Sequence, residues 1–207
     1  MQRMHRLPSS FRRFRKIGGV LDFGVFDETE GADADIVEAV GATLRHGRRF
    51  DGERLIALGS RAVSKAALLG DWWDPDTGAL IRRGDWVTAD GCELHDPRLP
   101  SLRNVKIVSG SCVIPEPGAD GQLAYALSRP PYSLDGKPAE VQELFDAIAA
   151  FLLPDEAHHE IRNWNTPALV EVSDYFEAGA EWWGVHLYTI HTPELRRLSV
   201  IAGSTTD

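Results

Sequence analysis

Residues 181–202 constrain this fold more than any other stretch. Trp183, Val185, Leu187 and Thr189 alternate onto one face of a strand, and Trp182, His186, Tyr188 and Ile190 onto the other, with Gly184 between them. Aromatic and β-branched side chains favour such a pleated surface. Both faces carry large side chains, so the pattern predicts an interior strand covered on both sides. Thr192-Pro193-Glu194 breaks the alternation, because Pro193 fixes φ and lacks a donor. Leu198, Val200 and Ala202 then resume it, with Ser199 and Ile201 opposite. A lone hairpin is marginal in water, so this one must dock on the rest of the chain.

The remaining pattern mixes helix and sheet. Residues 17–26 read as a first strand weakened by Gly18, Gly19 and Gly24. Residues 33–46 read as a helix, with Asp33 or Asp35 as its cap and Gly47 as its stop. Residues 53–69 look helical, with an interruption at Gly59-Ser60 and Ser60 capping the second half. Short strands are expected at 79–81, 86–88 and 92–94, a longer one at 105–114, and another at 123–127 before Pro130-Pro131. The clearest helix spans 138–153, with Pro138 at its first position and Val141, Leu144, Phe145, Ile148 and Leu152 in one stripe. A short strand follows at 161–164, then a short helix from Thr166-Pro167 to about residue 176.

There is no βαβ alternation, so the fold class is α+β. A mainly antiparallel sheet from 17–26, 79–128 and 182–202 is expected under two or three helices, with the C-terminal hairpin as a central element. Residues 17–207 read as a single globular domain. Residues 1–16 read as a basic, flexible arm, with six cations and no acid. That leaves 16 of the 22 cations against all 31 acids in the body. An acidic body repels phosphate backbones and disfavours nucleic acid as a partner. The basic arm is suited to nucleic acid, an acidic partner or its own acidic body. No apolar run approaches a membrane span, and residues 1–16 lack the apolar core of a signal peptide. Cys92 and Cys112 have no metal-type spacing and read as free thiols, so a reducing cytoplasm is the expected location.

Few stretches carry chemistry. His158-His159-Glu160 is the densest metal-capable cluster, and zinc or iron would suit it. Adjacent residues diverge on any regular backbone, so a site would need His186, His191 or His95-Asp96 as well. His158, His159 and His186 are the metal candidates. Asp76-Thr77-Gly78 matches the short aspartic-protease signature, but the second copy that chemistry needs is missing. The Asp74–Gly78 stretch also resembles half of a calcium loop without its later ligands, and a plain turn explains it best. There is no Gly-x-Ser-x-Gly elbow and no common nucleotide loop, and no cofactor is expected. Trp164, Asn165, Tyr175, Glu181, Trp182, Trp183, His186 and Tyr188 concentrate aromatic and polar groups suited to a ligand or partner site.

Three function classes fit. The first is an acidic, non-catalytic interaction or regulatory protein that binds a basic protein partner. Bacterial immunity proteins share that size and charge, an analogy of composition only. The second is a small hydrolase-like enzyme with a His/Asp/Glu site, which requires His158 or His159 to converge with His186. The third is a small-ligand pocket lined by Trp and Tyr.

Overall fold

The structure, a computed structural model, describes residues 1–44, 49–116, 122–180 and 183–205. Its strands are β1 (Gln2–Arg3), β2 (Asp22–Asp27), β3 (Arg61–Val63), β4 (Gly84–Thr88), β5 (Glu93–His95), β6 (Ile107–Cys112), β7 (Glu160–Asn163), β8 (Val185–Thr192) and β9 (Arg197–Ser204). Its helices are α1 (Ser9–Lys16), α2 (Asp33–Thr43), α3 (Gly52–Leu58), α4 (Lys65–Leu69), α5 (Leu123–Ser128), α6 (Pro138–Leu152) and α7 (Leu169–Val172). The main sheet runs β1-β2-β9-β8-β7-β3, antiparallel throughout. A second sheet of three strands runs β5-β4-β6. The fold is α+β, and the C-terminal hairpin supplies the two central strands of the main sheet.

The β8–β9 ladder is continuous from Val185↔Ser204 to Thr192↔Arg197. Every residue of β8 is buried, as are Leu198 to Gly203 of β9. The turn is a short 3-10 segment at Pro193–Leu195, and Arg196 adopts the left-handed conformation before β9 begins. One face, carrying Tyr188, Ile190 and Ile201, packs into an apolar cluster with α1, α4, α5 and α6. The other, carrying Val185, Leu187, Leu198 and Val200, packs with α2, α3 and α7. The two-sided alternation in the sequence thus corresponds to helices on both faces. Helix α6 begins with Pro138, and its Val141, Leu144, Phe145, Ile148 and Leu152 are all buried, as their spacing predicts.

Several elements differ from the sequence reading. Residues 1–16 do not form a free arm. Gln2 and Arg3 pair with Asp27 and Phe26, and α1 buries Phe11 and Phe14, three residues apart on one face. The basic side chains also reach the acidic body, with Arg13 on Glu140 at 3.1 Å and Arg15 on Asp22 at 2.8 Å. Residues 17–19 finish the α1 turn, so the strand begins only at Asp22. The 53–69 segment is two helices separated by β3, which pairs with β7 at the sheet edge. Ser64, not Ser60, caps the second of them. Helix α2 starts after Ala32, and Asp35 accepts from the Glu30 amide instead of capping. Its expected stop at His46-Gly47 lies outside the described residues.

Residues 123–127 form the helix α5, not a strand. All six of its residues are buried, and a short apolar run carries no period that separates strand from helix. The strands of 79–128 build the separate small sheet, and residues 79–81 make only isolated bridges at Leu80 and Ile81. The places expected for them beside the hairpin are filled by β7. The short helix expected up to residue 176 is α7 followed by a 3-10 turn at Asp174–Phe176, which Ser173 caps.

Losing β9 would separate β1-β2 from β8-β7-β3. Deleting residues 197–207 is therefore expected to abolish cooperative thermal unfolding measured by circular dichroism. Ile201→Ala, which leaves the ladder intact, is expected to cost roughly 2–5 kcal/mol in urea unfolding. A truncated chain melting at the wild-type temperature would contradict the central position of the hairpin.

Candidate functional site

The candidate histidines lie at opposite ends of the hairpin. His159 sits beside the far end of β8, where its ring nitrogens meet Thr192 Oγ1 at 3.1 Å and the Pro154 carbonyl at 2.9 Å. Both nitrogens are thereby occupied. His158 contributes its backbone amide to Glu194 at 3.4 Å. His191 lies against Glu160 at 3.3 Å. His186 is five residues from His191 along β8, about 17 Å at the rise of a strand. Among the described residues, no three His, Cys, Asp or Glu side chains are grouped to hold a metal ion. The convergence of His158 or His159 with His186 that a hydrolase site required does not occur.

The aromatic candidates mostly face the core. Trp183 and Tyr188 are buried, and the Trp183 indole donates to the Arg129 carbonyl at 3.0 Å. Tyr188 Oη accepts from Asn165 Nδ2 at 2.7 Å, while Asn165 Oδ1 accepts from the Leu187 amide at 2.7 Å. Trp164 donates to Thr189 Oγ1 at 3.0 Å. Tyr175 donates to Asp22 at 3.0 Å, and burial pushes its phenol well above the usual range. These contacts fix β7, β8 and the chain between them. Trp164 and Asn165 also border a shallow surface concavity of about 260 Å³. Glu181 and Trp182 lie outside the described residues.

His186 stands apart from its neighbours on β8. Thr189, His191 and Thr192 each have a side-chain hydrogen bond, whereas among the described residues neither ring nitrogen of His186 has a partner in hydrogen-bond geometry. Its ring meets Trp183 edge-on, with centroids 4.7 Å apart. Gly184 turns the chain into β8 at φ +110°, and a side chain there would press to 3.3 Å from His186 Nε2. Burial pushes the His186 pKa down to about 4 from its ordinary 6.5, with only a small opposing effect from the Trp183 backbone. The ring is therefore neutral at physiological pH.

The other motifs resolve into structure. Asp74 accepts from the Asp76 amide at 3.0 Å and from both Nε and an Nη of Arg98 at 2.9 Å, which holds its carboxyl below the usual range. Asp76, the acid of the protease-like triplet, is exposed in that turn. Cys92 and Cys112 are free thiols on the small sheet.

Two features that the sequence did not flag lie on the small sheet. Strand β6 is an edge strand, without a charged residue from Ile107 to Cys112. Val108 within it and Val113 and Ile114 just after it are each at least half exposed. Behind the sheet, Trp86 is buried and lies against two guanidinium groups, those of Arg82 and Arg129. The apolar run through Val113-Ile114 was a legible signal for the first. Nothing in the sequence pairs Arg82 with Arg129, because only the packing of α5 against the small sheet brings them together.

The His186 environment has a measurable consequence. From pH 6.5 down towards 4 the unfolded chain takes up a proton that the folded chain refuses. Stability therefore falls as pH drops through that window and is flat above it, by about 3 kcal/mol in all. His186→Leu should remove this component, so the gap between variant and wild-type urea midpoints should widen in the variant's favour from pH 7.5 to 5. Parallel pH profiles would contradict a neutral, buried ring. Compared with protein-family models, curated proteins and solved structures, the chain matches none of them.

Proposed function

We propose that this chain is a non-catalytic binding protein, and that an extended segment of a partner protein adds to the small sheet at β6. The uncharged edge of β6 and the exposed apolar side chains at Val108, Val113 and Ile114 carry this reading. Natural sheets protect their edges with charge, proline or cover, because unpaired backbone groups recruit other strands. Among the described residues, Ile107–Cys112 offers none of these, and the exposed side chains of Val108, Val113 and Ile114 supply apolar contacts next to the strand's backbone. Strand addition uses such a combination: backbone hydrogen bonds give affinity and alternate side chains give specificity.

The chemistry of the partner follows from the surroundings. Asp85 on β4 and Glu93 on β5 are exposed on the face that also carries Ser109 and Ser111. The whole chain has a net charge of −9. A segment alternating apolar and basic residues matches that face, and opposite charge speeds its encounter at low salt. The scattered histidines support binding over hydrolysis.

Val108→Lys places a charge on the edge without touching the core. Affinity capture from the source cell should retain a partner on the wild-type protein, weakened by salt. The variant should retain at least about tenfold less of it, the scale expected for a charge set against a strand interface. Both proteins should melt at the same temperature. Equal capture by the two proteins, or capture by neither, would refute the reading.

A further inference from the structure

We infer that the cleft between the small sheet and helix α6 is a binding site for a small organic acid, with Arg82 and Arg129 holding its carboxylate. This site is separate from the β6 edge and does not depend on it.

The cleft has a volume of about 210 Å³. Its walls are the segment that enters β4, the 3-10 turn at Leu99–Leu102, the end of α5 and the start of α6. Trp72, Leu99, Leu102 and Val141 give it an apolar lining, and Arg82 and Arg129 are its two charged residues. Each arginine is anchored by its backbone. The Arg82 carbonyl accepts from the Trp86 indole at 3.0 Å, and its amide donates to the Pro97 carbonyl at 2.8 Å. The Arg129 carbonyl accepts from the Trp183 indole at 3.0 Å, and its amide donates to the Tyr125 carbonyl at 2.8 Å. The two side chains thus project from fixed points.

Among the described residues, no carboxylate neutralises their charges. Arg82 stacks on Trp86 at 3.9 Å, and Arg129 lies 5.8 Å from the same ring. Neither forms an ion pair with a carboxylate among the described residues, although the chain holds nine more acids than Lys and Arg together. Among the described residues, Arg82 Nε is buried without an acceptor. Buried donors in folded proteins are normally satisfied, so a guanidinium left short of acceptors beside a second cation is suited to an anion. Burial and the Arg129 charge both pull the Arg82 pKa below its ordinary value, a penalty that a bound anion would relieve.

The shape selects the kind of anion. A guanidinium presents two parallel donors that match a carboxylate. The apolar walls exclude a bare, fully hydrated ion and suit a compact hydrocarbon body. A volume near 210 Å³ admits a single ring and little more. Trp72 and Trp86 lie close enough to report occupancy by their fluorescence.

Benzoate is the probe. Calorimetric titration of the whole chain should give saturable binding, with quenching of tryptophan emission over the same concentrations. Benzyl alcohol, which has the ring without the charge, and inorganic phosphate, which has charge without the ring, should each bind at least about tenfold more weakly. Arg129→Gln, at a half-exposed position, and Arg82→Lys, which keeps the charge but loses the fork, should each raise the benzoate Kd at least about tenfold. The Arg129 variant serves by itself if the Arg82 variant does not fold. Absence of benzoate binding up to about 10 mM, an unchanged Kd in the variants, or equal affinity for benzyl alcohol would overturn the assignment.

Discussion

The β8–β9 ladder is the interaction on which the remaining structure depends. It is the longest pairing in the main sheet, and it lies between β2 on one side and β7 on the other. Its two faces nucleate the two apolar clusters, so each helical layer needs the hairpin more than it needs the other layer. Burying side chains such as Leu187, Ile190, Val200 and Ile201 contributes roughly 1.5–3 kcal/mol each. Those contributions exist only while the eight-residue register holds, since a slip by one residue would exchange the two faces.

A strand covered on both faces must place its polar residues with care, and most of the contacts around the hairpin follow from that requirement. Thr189 receives the Trp164 indole, Thr192 meets His159, and His191 meets Glu160. Asn165 ties the Leu187 amide to the Tyr188 hydroxyl. These residue types also build catalytic sites, which is why the stretch resembles one when read as a sequence. In the fold they spend their hydrogen-bonding capacity on each other. Among the described residues, His186 is left with an edge-on contact with Trp183 and stacking on Tyr188 in place of hydrogen bonds.

The hairpin and the stripe of α6 were legible in the sequence because each has a local physical cause. These causes are two-sided alternation and helical spacing after Pro138. The α5 helix was not legible, because its run of five apolar residues carries no period. The order of residues 1–16 was hidden by their charge: Phe11 and Phe14 determine that segment, while the arginines around them are solvated. The strands of 79–128 were recognised, but not that they leave the main sheet. That depends on which partner wins the edge of β8, and β7 wins it with a four-residue ladder. The paired arginines were illegible for the same reason, since their proximity is a property of packing and not of spacing.

This division of labour bears on where function can reside. The central strands of the main sheet are covered on both faces, and most of their buried polar groups, His186 apart, are committed to holding them together. The segment that leads into the small sheet is tied to α6 by Gln142, which accepts from the Leu80 amide at 2.8 Å and donates to the Gly78 carbonyl at 3.3 Å. The small sheet contributes Trp86 to the interior and keeps β6 open to solvent. Gly110 on β6 lies so close to β4 that a Cβ there would sit 2.3 Å from the Asp85 carbonyl. That close approach brings β6 tightly onto the strand that carries Trp86. The open edge and the arginine cleft are therefore two sides of one thin layer, with Trp86 between them. A ligand that orders Arg82 against Trp86 would act on the strand that supports the edge.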